Sequence, residues 1–365
     1  MKITISLIKA DIGSIGGHIK PSSKVLETVI DFIKASPLII DSHIFHTGDD
    51  IAILMSHTKG TGNDEIHKLA WDALMQGTQV AKEQGLYGAG QDLLKDSFSG
   101  NVKGAGPAVA ELEFQERPAE PFLVFLADKT DPGAYNLPFY LGFADPFHNS
   151  GLLLSPAAKK GFTFRIVDVK YKDADKYIDL RAPADLYDIA VLLRETGRYS
   201  IESIFAPNGE QCAAISTTRL HNIAGKYTGK DDPVALVRVQ KDFPATGEIL
   251  SPFRLAPYVD GFMRGSHIGP LMPSKVNSPT SFFDGPPMVS CIALCVHEGK
   301  FTEMVDCFDH PFWDEIRSKA SKKAIDIREQ GFFGNAMLGM EELEYSGIVE
   351  SLAELEKKFK IKKAD

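Results

Sequence analysis

The chain opens with an apolar–polar alternation, KITISLIKA at residues 2–10, the period of a half-buried strand. Residues 22–35 switch to the helical period, with Val25, Leu26, Val29, Ile30 and Ile33 on one face, serines at the start and Pro37 just past the end. Two strand-like runs follow, LIIDSHIFH (38–46) and IAILMSH (51–57), and the TGDD between them reads as a hairpin tip, so this part predicts β-α-β-β. From Asp64 to Gln84 the residues Ile66, Leu69, Ala70, Ala73, Leu74, Val80 and Ala81 keep the 3.6-residue period, with Asn63 placed to cap the helix and Gly85 to end it. The glycine-rich stretch 85–107 predicts a long loop, and loops of that length are more often functional than idle.

PFLVFLAD (121–128) is a continuous apolar run, the mark of a buried strand, and it ends on Asp128. Further strands are predicted at 161–170, 199–206, 211–217, 234–240, 287–297 and 301–306, with helices near 183–195, 312–329 and 347–360. The Asn-Gly pair at 208–209 and Glu-Gly-Lys at 298–300 read as hairpin tips. Strands in hairpins with interspersed helices predict an α+β fold, a largely antiparallel sandwich rather than a doubly wound parallel sheet. No linker, composition shift or internal repeat divides the chain, so residues 1–365 read as a single domain.

Composition narrows the class. At 365 residues, 44% hydrophobic and 24% charged, the sequence is that of a soluble globular protein. A net charge of −9 argues against nucleic acid or an anionic membrane as the main partner, since both need a basic face. No apolar run approaches the roughly 18 residues that span a bilayer, and the first residues lack a signal-peptide core, which predicts a cytoplasmic protein. Cys212, Cys291, Cys295 and Cys307 lack CxxC spacing and read as buried free thiols.

The chemistry-bearing residues gather at predicted strand ends and loop tips: Asp11 after the first strand, Asp49 and Asp50 in the hairpin tip, Asp128 at a strand end, and Asp231 with Asp232 in the stretch GKYTGKDDP (225–233). Oxygen ligands without cysteine support suit Mg²⁺ rather than zinc, and Mg²⁺ is usually shared with substrate phosphates. His18, close to Asp11 after the glycines of DIGSIGGH, is the best histidine ligand. His43, His46, His57 and His67 read as ordinary structural or surface residues. Backbone donors around Ser99 and Gly100, with Lys129 and Arg264, are candidate partners for a phosphate. There is no P-loop, no GxGxxG after a strand, no GxSxG elbow, no HExxH helix and no kinase motif set.

Taken in order, KADIGSIGGH, HTGDD, YGAGQDLLKDSFSGN, ADKTDPGAYNLP, AGKYTGKDDP, MRGSHIGPLMP and FDGPP resemble the archaeal and deep-branching bacterial fructose-1,6-bisphosphate aldolase/phosphatase family, from residue 2 to about residue 346. The resemblance implies a four-layer α-β-β-α sandwich, a homo-octamer, and one site that condenses dihydroxyacetone phosphate with glyceraldehyde 3-phosphate and then hydrolyses the C1 phosphate of the product. It also implies a Schiff-base Lys230, Tyr227 as proton donor or acceptor, and Asp11 as base for the attacking water. The implied ligands of several Mg²⁺ ions are Asp11, His18, Asp49, Asp50, Gln91, Asp128, Asp231 and Asp232. The implied substrate contacts are His18, Tyr87, Ser99, Gly100, Lys129, Gln240, Arg264, Asp284 and Tyr345.

Two carboxylates beside Lys230 hold its ammonium charged, whereas an imine-forming lysine must reach its neutral form. The resemblance resolves this by giving Asp231 and Asp232 to the metal in one state and Lys230 to the substrate in another. Gly229 supplies the backbone freedom for the change. A sugar bisphosphatase without aldolase activity and a non-catalytic phosphosugar-binding regulator are the rival readings.

Overall fold

Period-two patterning in the first nine residues produces strand β1 (Lys2–Ala10), and the hairpin at TGDD produces β2 (Asp41–Thr47) and β3 (Asp50–His57). The computed structural model describes residues 1–93, 106–171, 176–216, 231–261, 267–280, 285–329 and 347–362. β1 lies between β3 and β4 (Ala108–Gln115), and β2 flanks β3, giving an antiparallel sheet of order β2-β3-β1-β4.

Helices α1 (Ser23–Lys34) and α2 (Asp64–Glu83) cover one face of this sheet. Each begins where a side chain satisfies orphan helix donors: Ser22 Oγ accepts from Val25 N at 3.2 Å, and Asn63 Oδ1 accepts from Glu65 N and Ile66 N. Val25, Val29 and Ile33 then share one apolar cluster with Ile8, Ala10, Ile51, Ile53 and Met55 of the sheet.

A larger sheet is built around β5 (Glu120–Asp128). It contains β6 (Thr163–Asp168), β7 (Lys176–Arg181), β8 (Tyr199–Phe205), β9 (Gln211–Ile215), β10 (Val234–Arg238), β13 (Met272–Pro273), β14 (Met288–His297) and β17 (Lys360–Ile361). Their order is β13-β14-β5-β10-β9-β8-β6-β7-β17, and every pair is antiparallel except β13 with β14. Short strands β15 (Lys300–Phe301) and β16 (Val305–Asp306) add to β14, and β11 (Tyr258–Gly261) with β12 (His267–Pro270) forms a separate ribbon.

β5 divides its side chains strictly by parity. Phe122, Val124 and Leu126 pack against Ile3, Ile5, Leu7 and Leu54 of the first sheet. Leu123, Phe125 and Ala127 join a second cluster with Phe139 and Phe143 of α3 (Asn136–Phe143), Ile189 and Leu192 of α4 (Leu186–Leu193), and Trp313 of α5 (Pro311–Glu329). Burial on both faces explains the unbroken apolar run that the sequence presents here.

The mixed helix and antiparallel-sheet architecture agrees with the pattern, with local differences. β4 was not anticipated, because its alternation AVAELEFQ is built from small Ala108 and Ala110 and adjoins the glycine-rich stretch, yet Leu112 and Phe114 bury fully like their neighbours. α3, with Pro138 inside its first turn, is apolar nearly all round, even at the exposed Leu137, so periodicity could not reveal it. The run 301–306 is two short strands rather than one. All four cysteines are free thiols, but only Cys212 and Cys291 are buried; Cys295 and Cys307 are half-exposed because they lie where β14 is covered only by short strands. Among the described residues no helix is long and apolar enough to cross a membrane.

Candidate active site

The two sheets face each other through odd residues of β1 and even residues of β3 and β5, and at one end these apolar rows give way to charge. Asp11 follows β1, the Gly48–Asp49 turn joins β2 to β3 and leads into Asp50, and Asp128 is the last residue of β5. β10 runs antiparallel to β5, so the residues just before it, Asp231 and Asp232, lie at the same end. The loop after β1 brings in His18, and the turn after α2 brings in Tyr87 and Gln91, tied down by Ser14 N to Tyr87 O at 2.9 Å and Tyr87 N to Ser14 O at 3.1 Å.

These side chains converge closely. His18 Nδ1 is 3.0 Å from Asp49 Oδ2 and 3.5 Å from Asp11 Oδ2, and its ring stands edge-on to Tyr87 with centroids 5.0 Å apart. Ser14 Oγ donates to Asp49 Oδ2 at 3.1 Å. Two overlapping groups, Asp11–His18–Asp49 and Asp49–Asp50–Asp128, each bring their ligand atoms within 4.8 Å of one another. Gln91 borders the same space: a Cβ on Gly88 would lie 3.1 Å from Gln91 Oε1 and 3.9 Å from Asp11 Oδ2. Buried carboxylate oxygens, one amide oxygen and one imidazole are the donors a divalent hard cation takes, so the residues present fit such an ion.

Backbone conformation decides how neighbours in sequence share this pocket. Consecutive residues of an extended strand point to opposite faces, but Lys129 takes φ +60°, a left-handed conformation that is costly without glycine. Its ammonium thereby pairs with Asp49 Oδ1 and with Asp128 Oδ1 at 3.0 Å. Asp232 is also left-handed, at φ +52°, and forms a two-way clasp with Thr130: Thr130 N donates to its Oδ1 at 2.7 Å and its own N donates to Thr130 O at 3.1 Å.

Gly48 is required twice over. Its φ is +55°, and a Cβ there would sit 1.6 Å from Asp128 Oδ2, an impossible overlap with a buried carboxylate. Gly48→Ala is therefore expected to displace Asp128 and weaken divalent-cation affinity by roughly 10–100-fold, the range for losing a partner that orients a ligand. Calorimetric titration of the cation into the variant checks this, and unchanged affinity would mean that Asp128 does not need this position.

The electrostatics follow from burial and crowding. Burial and the neighbouring Asp49 raise the Asp11 carboxyl to about 7, while Asp11 and Asp49 together raise the His18 imidazole to about 10. Burial would also raise Asp49, but Lys129 and His18 outweigh it and hold Asp49 below the usual carboxylate range. Burial pushes Asp128 well up. Burial works against the Lys129 ammonium, yet Asp128 and Asp49 leave its pKa raised. One pocket thus holds a carboxyl poised near neutrality beside one that stays ionised, a pattern that marks functional sites.

Of the predicted residues, the structure brings together Asp11, His18, Asp49, Asp50, Asp128, Lys129, Tyr87 and Gln91, with Asp232 held alongside through Thr130. Asp231 is half-buried next to Asp232, and neither joins the two ligand groups. Gln240 is not brought in: it follows β10 at the end opposite Asp232, beyond the buried Arg238–Glu120 pair, where its side chain donates to Thr246 Oγ1 at 3.1 Å. Ser99, Gly100, Tyr227, Lys230, Arg264, Asp284 and Tyr345 lie outside the described residues.

Three pocket residues escaped the sequence reading. Asp92 accepts the backbone N–H of Asp11 at 3.0 Å, Ser14 donates to Asp49, and Lys9, fully buried, pairs with Asp50. Lys9 did carry a signal, since it follows Ile3, Ile5 and Leu7 at inward parity, where a lysine is out of place.

Fold and site together are those of a candidate divalent-cation centre, its carboxylates assembled from strand ends between two largely antiparallel sheets. A family model described as fructose-1,6-bisphosphatase matches residues 2–360, and the chain belongs to that family. A protein of Thermus thermophilus named fructose-1,6-bisphosphate aldolase/phosphatase is 58% identical over 362 residues, covering 98% of this chain and 100% of the relative. Proteins of the same name are 51% identical in Cenarchaeum symbiosum, over 95% of this chain and 91% of the relative, and 45% identical in Moorella thermoacetica, over 98% and 94%.

Proposed function

We propose that this chain is a bifunctional gluconeogenic enzyme that condenses dihydroxyacetone phosphate with glyceraldehyde 3-phosphate and hydrolyses the C1 phosphate of the resulting fructose 1,6-bisphosphate to give fructose 6-phosphate. The observation that carries this reading is the convergence of Asp11, His18, Asp49, Asp50 and Asp128 beside Lys129, in a chain alike over nearly its whole length to proteins named for both activities. A phosphatase alone would reduce the lysine at the head of KDDP to a phosphate contact.

In the aldol half, the Lys230 amine attacks the ketone carbon of dihydroxyacetone phosphate and water leaves, forming an iminium. Tyr227 removes a proton from the adjacent carbon, the electron pair is held by the iminium, and that carbon attacks the aldehyde of glyceraldehyde 3-phosphate, whose oxygen takes the proton back from Tyr227. Water then releases the product from the lysine. In the phosphatase half, Asp11 accepts a proton from the water that attacks phosphorus. Magnesium, held by Asp11, His18, Asp49, Asp50, Gln91, Asp128, Asp231 and Asp232, supplies charge neutralisation at the phosphate and acidifies water when bound. His18, Tyr87, Ser99, Gly100, Lys129, Arg264, Asp284 and Tyr345 hold the phosphosugar.

Gln240 lies past the end of β10 that faces away from this pocket, so in this reading it serves a substrate only across a subunit contact of the homo-octamer. The three apolar clusters, one between the sheets and one outside each, support a four-layer α-β-β-α sandwich forming one domain. The enzyme is cytoplasmic.

The test is mass spectrometry of the protein incubated with dihydroxyacetone phosphate and borohydride, which reduces an imine to a stable amine. An adduct on Lys230, absent from Lys230→Ala, is expected. No adduct, with bisphosphate hydrolysis intact in Mg²⁺, would reduce the function to a sugar bisphosphatase.

A further inference from the structure

Lys9 has no part in the chemistry above, yet it is 1% exposed, where lysine is almost never found unless paired. β1 sends Ile3, Ile5 and Leu7 into the space between the sheets, and Lys9 continues that row toward the pocket. Its register partners are Ala52 on β3 and Ala108 on β4, both fully buried, and these two small side chains leave room for a long one. The Lys9 ammonium donates to Asp50 Oδ2, and Asp50 is itself buried. Asp50 shares a ligand group with Asp49 and Asp128, and these two carry Lys129. Lys129 is 14% exposed at the mouth, while Lys9 lies beneath, where the apolar core begins.

We propose that Lys9 is a resident counter-cation of this pocket: it positions Asp50 and keeps the Asp49–Asp50–Asp128 carboxylates together while no divalent cation is bound. The inference rests on the functional reading above and deepens it. A buried ion pair is not a general means of stabilising a core, since an apolar side chain of the same size often does as well. Met or Leu at position 9 would fill the space between Ala52 and Ala108. A lysine there makes sense where three carboxylates must stay close in two conditions, with an ion among them and without one. Like charges at such distances repel strongly in a medium that water does not screen. With a cation bound, Lys9 is partly redundant; without one, it holds the floor of the site.

The test is thermal melting of the full chain with and without saturating Mg²⁺, for the wild type, Lys9→Met and the double variant Lys9→Met/Asp50→Asn. Lys9→Met removes charge while keeping bulk. It is expected to melt on the order of 10 °C lower without metal, as for a broken buried pair, and by less than half that amount with Mg²⁺. The double variant, which removes the stranded carboxylate as well, is expected to regain most of the metal-free loss. A lysine that only fills space would instead leave both melts unchanged, and a loss that is equal with and without Mg²⁺, with no recovery in the double variant, would not belong to a counter-cation; either result overturns the proposal. Should Lys9→Met be insoluble in both conditions, a soluble double variant supports the proposal and an insoluble one overturns it. A wild type that Mg²⁺ does not stabilise would overturn the metal-dependent reading itself, a failure distinct from equal losses in a wild type that Mg²⁺ does stabilise.

Discussion

Lys230→Ala is expected to lower aldol condensation by roughly 10⁴-fold or more, because no other group can take over as electron sink once the imine nitrogen is gone. Bisphosphate hydrolysis should stay within severalfold of wild type. The two ligand groups, Asp11–His18–Asp49 and Asp49–Asp50–Asp128, and Lys129 beside them come from segments other than that of Lys230. Two assays on one preparation decide the matter: condensation of the two triose phosphates, and phosphate release from fructose 1,6-bisphosphate. Equal losses in both would sink the division of labour and make Lys230 a contact shared by the two reactions.

Asp11→Ala carries the second large effect, a loss of hydrolysis on the order of 10²–10⁴-fold, the usual contribution of a positioned general base. Asp11 is fixed from several sides. Gly13 N donates to its Oδ1 at 3.0 Å, its own N–H donates to Asp92, and His18 approaches its Oδ2. Under the proposed roles the alanine variant loses both the base and a ligand, so Asp11→Asn is the informative companion. Asparagine keeps an oxygen donor of the same shape but accepts no proton at neutral pH. Hydrolysis should therefore fall in Asp11→Asn while stabilisation by Mg²⁺ is partly retained. Melting curves accompany the rate measurements, and an unchanged rate in Asp11→Ala would remove that residue from the site.

Much of the fold was legible because the segments that were read correctly declare their burial locally. α1 and α2 have one apolar face and side-chain caps at Ser22 and Asn63. β5 is apolar throughout because it is covered on both sides, and the TGDD turn has the glycine that a two-residue connection needs. Elements without such signals were passed over. β4 pairs with β1 through small alanines, and α3 is apolar nearly all round, even at the exposed Leu137, so it has no polar stripe to reveal its period.

The site was legible as residue types at segment ends, and less so as a set. Asp11, Asp49, Asp50 and Asp128 stand at turns and strand termini, where chemistry is affordable, and a sequence reader can mark them. Gln240 sits just beyond a strand end too, and nothing local distinguishes its end from that of Asp232; the antiparallel pairing of β10 with β5 does.

By itself, then, the chain determined its local periods, its turn glycines, its supply of hard oxygen ligands and, through its ordered motifs, its family. Only the tertiary structure decided that Lys9 meets Asp50, that Lys129 turns back onto Asp49 through a left-handed backbone, and that Gly48 must lack a side chain because Asp128 occupies its space. These contacts join residues 41, 80 and 80 positions apart. No local preference encodes them, because they depend on the register and facing of two sheets that only long-range packing sets.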